Sequence, residues 1–395
     1  MVGVSRLCCG AAAACDDLRY GAARPGPHAV SAAQRPDRKP VVVWNCTRRC
    51  NLRCEHCYSQ SDDRAAGGEL THDEGLRLID DLAGFGVPVL LLSGGEPLLR
   101  PRVVELAGHA AGRGLRVAFS TNGTHLTPDL AARLRDAGVS YAGISLDGLE
   151  PEHDRLRGVP GAFRCTLDGV RSCLGAGLKV GLRFTITRAN AGAIGAVFDL
   201  VAAEGIPRIC FYHLVYAGRG SALAAGSRLA HAATRAAVDL IVERTRDLHR
   251  RGRPVEVLTV DNHTDGPYLL LRLRREAPER AEEAFRLLRA NGGNSSGGGI
   301  GCVSWDGTVH PDQFWRHADC GNVRERPFGA IWGAPPPDSL LGRLRRRREF
   351  LTGRCAACRW LDLCNGNLRV RAEALAVDAW APDPDCYLTD EEIAP

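Results

Sequence analysis

The chain has 395 residues, 45% of them apolar and 25% charged, the balance of a globular protein large enough for two or three structural units. No apolar run nears the ~20 residues of a membrane span, which excludes a spanning helix. The net charge of +5 rests on arginine, Lys39 and Lys179 being the only lysines; with no basic stripe interleaved with aromatics, an anionic small molecule is the expected partner and nucleic acid is not.

Residues 1–40 lack periodicity and are rich in Ala, Pro and Gly, so they read as an arm packed on, or trailing from, the body that follows. Their apolar stretch LCCGAAAAC has only Arg6 before it and runs into Asp16 and Asp17; a signal peptide is not expected, and the cytoplasm is. Over 41–220, apolar runs suited to buried strands alternate with amphipathic stretches. The strand runs are VVVWNC (41–46), VPVLLLS (87–93), LRVAFS (115–120), YAGISL (141–146), KVGLRFT (179–185) and RICFYHLV (208–215). The helical stretches fall at 71–84, where Thr71 and Glu74 can form a capping box, and at 101–113, 128–137, 162–176 and 190–204. Such alternation predicts an α/β fold of parallel strands with helices outside, either a partial barrel of six βα units or an open sheet. Loops at the C-terminal strand ends then carry the chemistry. Residues 221–300 read as a mostly helical bridging region broken by VEVLTVDNHTDGPY (255–268), with GGNSSGGG (292–299) as a flexible junction. From 301 to 395 a Cys- and Gly-rich segment has little room for an apolar core, so metal is expected to share in its stabilisation.

Sixteen cysteines are too many for a reducing compartment unless some bind metal. Cys50, Cys54 and Cys57 form C-x3-C-x2-C directly after the first strand, followed by Tyr58. Three thiolates on one loop can hold three irons of a [4Fe–4S] cube and leave the fourth open. A structural zinc would instead close with four ligands. Cys46 also fits a C-x3-C spacing with Cys50, but it belongs to the strand, where the pleat sets its direction.

These residues resemble the radical S-adenosylmethionine (SAM) superfamily, whose signature is C-x3-C-x2-C-aromatic after the first strand. LSGGEP (92–97), STNG (120–123) and SLDG (145–148) follow at successive strand ends, as that family's SAM-binding segments do. The resemblance implies a partial (β/α)6 radical SAM barrel. In it Cys50, Cys54 and Cys57 hold the catalytic [4Fe–4S] cluster, and Gly94, Gly95, Glu96, Asn122, Ser145 and Asp147 bind SAM, the glycines by letting the backbone approach the methionine amino group. It also implies reductive cleavage of SAM to a 5′-deoxyadenosyl radical that abstracts substrate hydrogen.

Cys355, Cys358 and Cys364 read C-x2-C-x5-C, with Cys386 downstream. This resembles the C-terminal Cys-rich SPASM extension of the same superfamily, which houses two auxiliary clusters. Cys302 and Gly307 match its opening, but Asp312 and Leu368 stand where two further cysteines belong. The resemblance therefore implies one auxiliary [4Fe–4S] cluster, on Cys355, Cys358, Cys364 and Cys386, with zinc as the alternative for four cysteines. Cys165, Cys173, Cys210, Cys302 and Cys320 read as buried or free thiols, with Cys302 and Cys320 as an alternative, unusual ligand pair.

The segments FYHLVYAGRG, LTVDNHTDGPY, GCVSWDGTVHPDQFWRH, GNVRERPFGAIW and CNGNLRVRAE resemble the heme-biosynthesis subgroup. That subgroup contains enzymes removing the acetates of 12,18-didecarboxysiroheme and enzymes of heme d1 synthesis acting on its propionates; LTVDNH and GIGCVSWDG are more similar to the former. The resemblance implies an iron tetrapyrrole substrate and a flavodoxin- or ferredoxin-type electron donor, with His213, His263, His310 and His317 as possible ligands to the substrate iron. The RRRR run at 345–348 reads as a solvated helix face that could attract an acidic donor. A peptide-modifying relative would be expected to keep both auxiliary clusters, and a plain iron–sulfur electron carrier would need neither GGEP nor SLDG.

Overall fold

A computed structural model describes residues 1–21, 39–224 and 226–394; positions 22–38 of the expected arm lie outside the described residues. Ten strands form one sheet: β1 (Val2–Gly3), β2 (Val41–Thr47), β3 (Val89–Gly94), β4 (Arg116–Thr121), β5 (Val139–Ser145), β6 (Val180–Ile186), β7 (Arg208–His213), β8 (Glu256–Val260), β9 (Ile300–Val303) and β10 (Val309–His310). Their order is β1-β8-β7-β6-β5-β4-β3-β2-β9-β10. Every neighbouring pair from β8 across to β9 is parallel, while β1 and β10 join the two edges antiparallel.

The six strands expected from the apolar runs, β2 to β7, all form, because parallel strands buried on both faces leave near-continuous apolar stretches in a sequence. Val42, Trp44, Leu90, Leu92, Val117, Phe119, Leu182 and Phe184 face the helices and are sealed from solvent. The alternate positions Val43, Leu91, Ser93, Arg183 and Thr185 line a cavity on the other face. Helices His72–Phe85, Val103–Gly112, Pro128–Asp136, Ala162–Gly175, Ile194–Ala203 and His231–Arg250 carry the chain from each strand to the next. The expected capping box opens the first of these: Thr71 Oγ1 accepts from the Glu74 N–H at 3.2 Å, and Glu74 Oε2 from the Thr71 N–H at 2.7 Å.

The sheet is wider than six units. Part of 255–268, expected as a break between helices, is strand β8, whose Val257 and Leu258 are fully buried beside β7. At the other side β9, from the Cys-rich end of the chain, pairs with β2. The first residues are also built in: β1 pairs with β8, and the Val257 N–H donates to Ser5 Oγ at 3.1 Å. Two expectations are corrected together. GGNSSGGG is not a loose junction, since Asn294 and Ser296 are buried and the Arg347 guanidinium bonds Asn294 Oδ1 and the Ser296 carbonyl. For the same reason the RRRR run is not simply a solvated face: Arg347 is buried, and Arg345 donates to the Gly297 carbonyl at 2.8 Å. The C-terminal segment also has an apolar cluster of Trp315, Leu344, Leu368, Val370 and Trp380. Among the described residues no helix is long and apolar enough to cross a membrane.

Candidate active site

One cavity opens at the C-terminal ends of the parallel strands, and Cys50, Cys54, Cys57, Gly94, Gly95, Asn122 and Ser145 all line it. The cysteine loop leaves β2 and folds back against the β3 end. The Gly95 N–H donates to the Thr47 carbonyl and the Glu96 N–H to the Arg49 carbonyl, both at 2.8 Å. A Cβ at Gly95 would lie 2.2 Å from the Arg49 carbonyl, and one at Gly94, where φ is +140°, 2.3 Å from that of Thr47. The two glycines therefore let the cysteine loop lie on the β3 turn, a reason beyond the approach to a ligand expected from the motif.

Glu96 and Asp147 lie behind the cavity wall, fully buried. Glu96 accepts from Thr121 Oγ1 at 2.7 Å, the Asn122 N–H at 2.8 Å and the Leu98 N–H at 3.1 Å, so it fixes the turn that carries Asn122. Burial pushes its carboxyl up to about 7 despite these donors. Asp147 accepts from the Thr185 N–H at 2.7 Å and pairs with Arg157 at 2.6 Å and His56 at 3.2 Å. Burial alone would raise its carboxyl, but the Arg157 and His56 charges hold it well below the usual range. Sequence reasoning missed Arg157, His56 and Arg183, which all line the cavity. Arg183 donates to Tyr212 Oη at 2.9 Å and to Ser120 Oγ. Its signal was available: a lone guanidinium inside the apolar run KVGLRFT must face a polar interior.

Four groups lie against the cluster-type sulfurs: the Leu52 N–H at 3.4 Å and Asn122 Nδ2 at 3.9 Å from Cys50 Sγ, Arg157 Nη1 at 3.5 Å from Cys54 Sγ, and Ser59 Oγ at 3.2 Å from Cys57 Sγ. Cys46, in contrast, is fully buried in the main apolar core. Of the four histidines expected near substrate, only His213 lines the cavity. His263 is buried elsewhere, His310 spends both ring nitrogens on Ser304 Oγ (2.8 Å) and the Ala318 carbonyl (2.7 Å), and His317 is exposed and paired with Glu373.

Cys355, Cys358, Cys364 and Cys386 line a second cavity, closed by Thr264, Pro267, Trp360 and Leu388. The Trp360 N–H donates to Cys358 Sγ at 3.4 Å. Among the described residues no three His, Cys, Asp or Glu side chains converge at the spacing of a single ion. Where the SPASM pattern would put two further cysteines, the structure has packed interior. The Asp312 carboxylate accepts the N–H groups of Phe314 and Trp315 at 2.8 and 3.3 Å, and Leu368 is buried in the C-terminal apolar cluster.

Residues 44–192 match the model of the radical SAM superfamily. The chain is 55% identical to Fe-coproporphyrin III synthase of Methanosarcina barkeri, over all of this chain and 99% of that protein. The chain belongs to the radical SAM superfamily. This radical SAM enzyme is also 44% identical to pre-heme d1 synthase of Dinoroseobacter shibae, over 90% of this chain and 87% of that one. Against an AdoMet-dependent heme synthase of Methanosarcina barkeri it is 33% identical over 88% and 95%. The same fold occurs in Streptococcus suis SuiB bound to S-adenosylmethionine, with a TM-score of 0.68 at 18% identity, covering 88% of this chain and 77% of that one.

A radical SAM enzyme uses a [4Fe–4S] cluster and SAM, and the residues here fit both. Burial pushes the Cys50 thiol up to about 12 and raises that of Cys54 against the pull of the Arg157 charge, and three cysteines lining one cavity are a donor set suited to a [4Fe–4S] cluster. N–H groups aimed at ligating sulfurs are a means by which proteins stabilise such clusters. The lining of small and polar residues, Gly94, Gly95, Ser93, Ser120 and Ser145, leaves room and hydrogen-bonding capacity for a zwitterionic ligand.

Proposed function

We propose that this radical SAM enzyme removes the two acetate side chains of 12,18-didecarboxysiroheme to yield Fe-coproporphyrin III. The observation that carries this reading is the 55% identity along the entire chain with a protein named for making that product. The pre-heme d1 synthase match is lower and shorter, and the PqqA peptide cyclase of Methylocella silvestris is only 29% identical. When bound, the cluster and SAM supply a 5′-deoxyadenosyl radical that abstracts a substrate hydrogen. Cys50, Cys54 and Cys57 would hold the cluster, and Gly94, Gly95, Asn122 and Ser145 would contact SAM. Glu96 and Asp147 act from behind the wall, the first by positioning Asn122 and the second by orienting Arg157 and His56. Arg183 adds a fixed positive charge suited to a carboxylate.

Cys355, Cys358, Cys364 and Cys386 would hold an auxiliary [4Fe–4S] cluster that exchanges electrons with the substrate site. A flavodoxin- or ferredoxin-type protein is the electron donor in this reading, and the cytoplasm its compartment. The test is anaerobic incubation of the reconstituted enzyme with didecarboxysiroheme, SAM and reductant, followed by mass spectrometry. Loss of both acetates is expected; dioxo products would instead assign the chain to heme d1 synthesis, and unchanged substrate would refute both.

A further inference from the structure

We propose that Arg183 anchors a side-chain carboxylate of the tetrapyrrole inside the barrel, an inference that rests on the substrate assigned above. Strand β6 alternates: Leu182 and Phe184 are sealed against the helices, while Arg183 and Thr185 line the cysteine-lined cavity. The guanidinium is fixed on that side. Its Nε donates to Tyr212 Oη at 2.9 Å and its Nη1 to Ser120 Oγ, and both hydroxyls belong to residues of the same cavity lining. Its central carbon lies 5.0 Å from the centre of the Tyr212 ring. On the neighbouring strand β5, a Cβ at Gly143 would come within 3.0 Å of Arg183 Cδ and 3.3 Å of Nε, so glycine there leaves the space that the side chain fills. Two of the three guanidinium nitrogens are spent on positioning. The third, Nη2, is neither bonded nor sealed among the described residues.

What this guanidinium lacks is a counter-charge. The other arginine of the lining, Arg157, pairs with Asp147 at 2.6 Å, whereas among the described residues no carboxylate lies within ion-pair distance of Arg183. Asp261, the only acid in the lining, stands beyond that distance. The phenols beside Arg183 do not supply the charge, because burial raises the hydroxyls of both Tyr141 and Tyr212 and keeps them neutral. A cation enclosed by protein without an anion is costly unless a ligand brings one, and a planar guanidinium with a free N–H edge matches a carboxylate. Position selects the source of that carboxylate. Gly94, Gly95 and Asn122 stand at strand ends, and the cysteine loop leaves the end of β2. Arg183 lies three residues before the end of β6, four strands away from β2 in the sheet. An acetate or propionate arm, which projects beyond the macrocycle edge, can descend to it.

The experiment titrates the anaerobically reconstituted enzyme with didecarboxysiroheme and, separately, with Fe-coproporphyrin III, which keeps the propionates and lacks the acetates. Binding is followed by visible absorption, with iron content and SAM affinity measured on every variant. Arg183→Gln, which keeps a donor but no charge, should bind didecarboxysiroheme roughly 10–100-fold more weakly with SAM affinity unchanged, and Arg183→Lys should recover part of the loss. Added salt should weaken the wild type more than Arg183→Gln, a difference that a merely structural role would not produce. A loss with both ligands identifies a propionate as the anchored arm; a loss with didecarboxysiroheme alone identifies an acetate. Should Arg183→Gln lose its iron, Tyr212→Phe, which removes one support of the guanidinium, takes its place and should weaken tetrapyrrole binding several-fold. If the wild type binds neither tetrapyrrole, the substrate reading fails. If the variant binds both as the wild type does, or loses affinity for SAM instead, the anchor is overturned and the substrate reading stands.

Discussion

Glu96 carries a pH dependence that follows from its burial. The native state holds its proton up to about pH 7, against about 4.5 for an unhindered glutamate. Between those values the native state binds more protons than the unfolded one, so this group makes stability fall as pH rises, and its contribution levels off above 7. The shift corresponds to a loss on the order of 3 kcal/mol at most. Glu96→Gln should remove that slope. The check is the urea midpoint of wild type and variant at intervals from pH 5 to 8: their difference should drift in favour of the variant as pH rises, and a constant difference would mean that Glu96 is ionised throughout. At this scale the sequence pattern was legible where type and spacing bring residues together, as for the cysteines that line the two cavities. It was illegible where burial and long-range pairing decide which groups meet. Glu96 and Asp147 belong to recognisable motifs, yet both are buried behind the cavity wall, and nothing in LRGV or CEHC says that Arg157 and His56 meet on one carboxylate.

At the scale of elements, strands β2 to β7 were readable because their burial on both faces leaves continuous apolar runs, whereas β8 and β9 were not. EVLTV is short and lies among charged helices, and IGCV follows a glycine-rich stretch that composition alone marks as loose. What makes that stretch rigid is non-local: Arg347, about fifty residues on, satisfies its buried carbonyls. The contact between the cysteine loop and the β3 turn is the tightest of these long-range fits. Gly95→Ala would press a methyl into the Arg49 carbonyl, so a cost of about 1–3 kcal/mol is expected together with loss of bound iron. Gly84→Ala, in helix His72–Phe85 with nothing within 4 Å of the added carbon, should instead stabilise by up to about 1 kcal/mol and leave iron unchanged. Thermal melts with iron assays on both variants separate a site effect from a general glycine effect. A similar logic applies to Arg371, fully buried and bidentate on Asp383 at 2.9 Å, which also donates to the Asp261 carbonyl at the β8 end. Arg371→Met should destabilise the enzyme by about 3–5 kcal/mol, because Asp383 is left as an uncompensated buried charge. A denaturation midpoint near that of wild type would mean that Asp383 takes up a proton at little cost.

For the whole molecule, the two cysteine cavities are parts of one sheet-centred body, since the Cys-rich end contributes β9 beside β2 and packs Cys364 against the 292–299 turn. A Cβ on Gly293 would lie 2.3 Å from the Cys364 carbonyl, and Asn294 N–H donates to that same oxygen at 3.1 Å. Stability of the second site and of the sheet edge are therefore linked, which makes metal content a readout of both. Two tetranuclear clusters require about eight irons per chain after anaerobic reconstitution. Cys54→Ala should lower that to about four and abolish 5′-deoxyadenosine formation, while Cys46→Ala, in the apolar core and away from the cavity, should keep about eight. Cys364→Ala should also lower the count to about four, and it should lower the melting temperature more than Cys54→Ala does, because the segment it anchors holds β9 in place. About four irons with bound zinc in the wild type would sink the auxiliary-cluster proposal. Equal melting temperatures in the two variants would instead mean that apolar packing around Trp315 and Trp380, rather than metal, holds the C-terminal segment to the sheet.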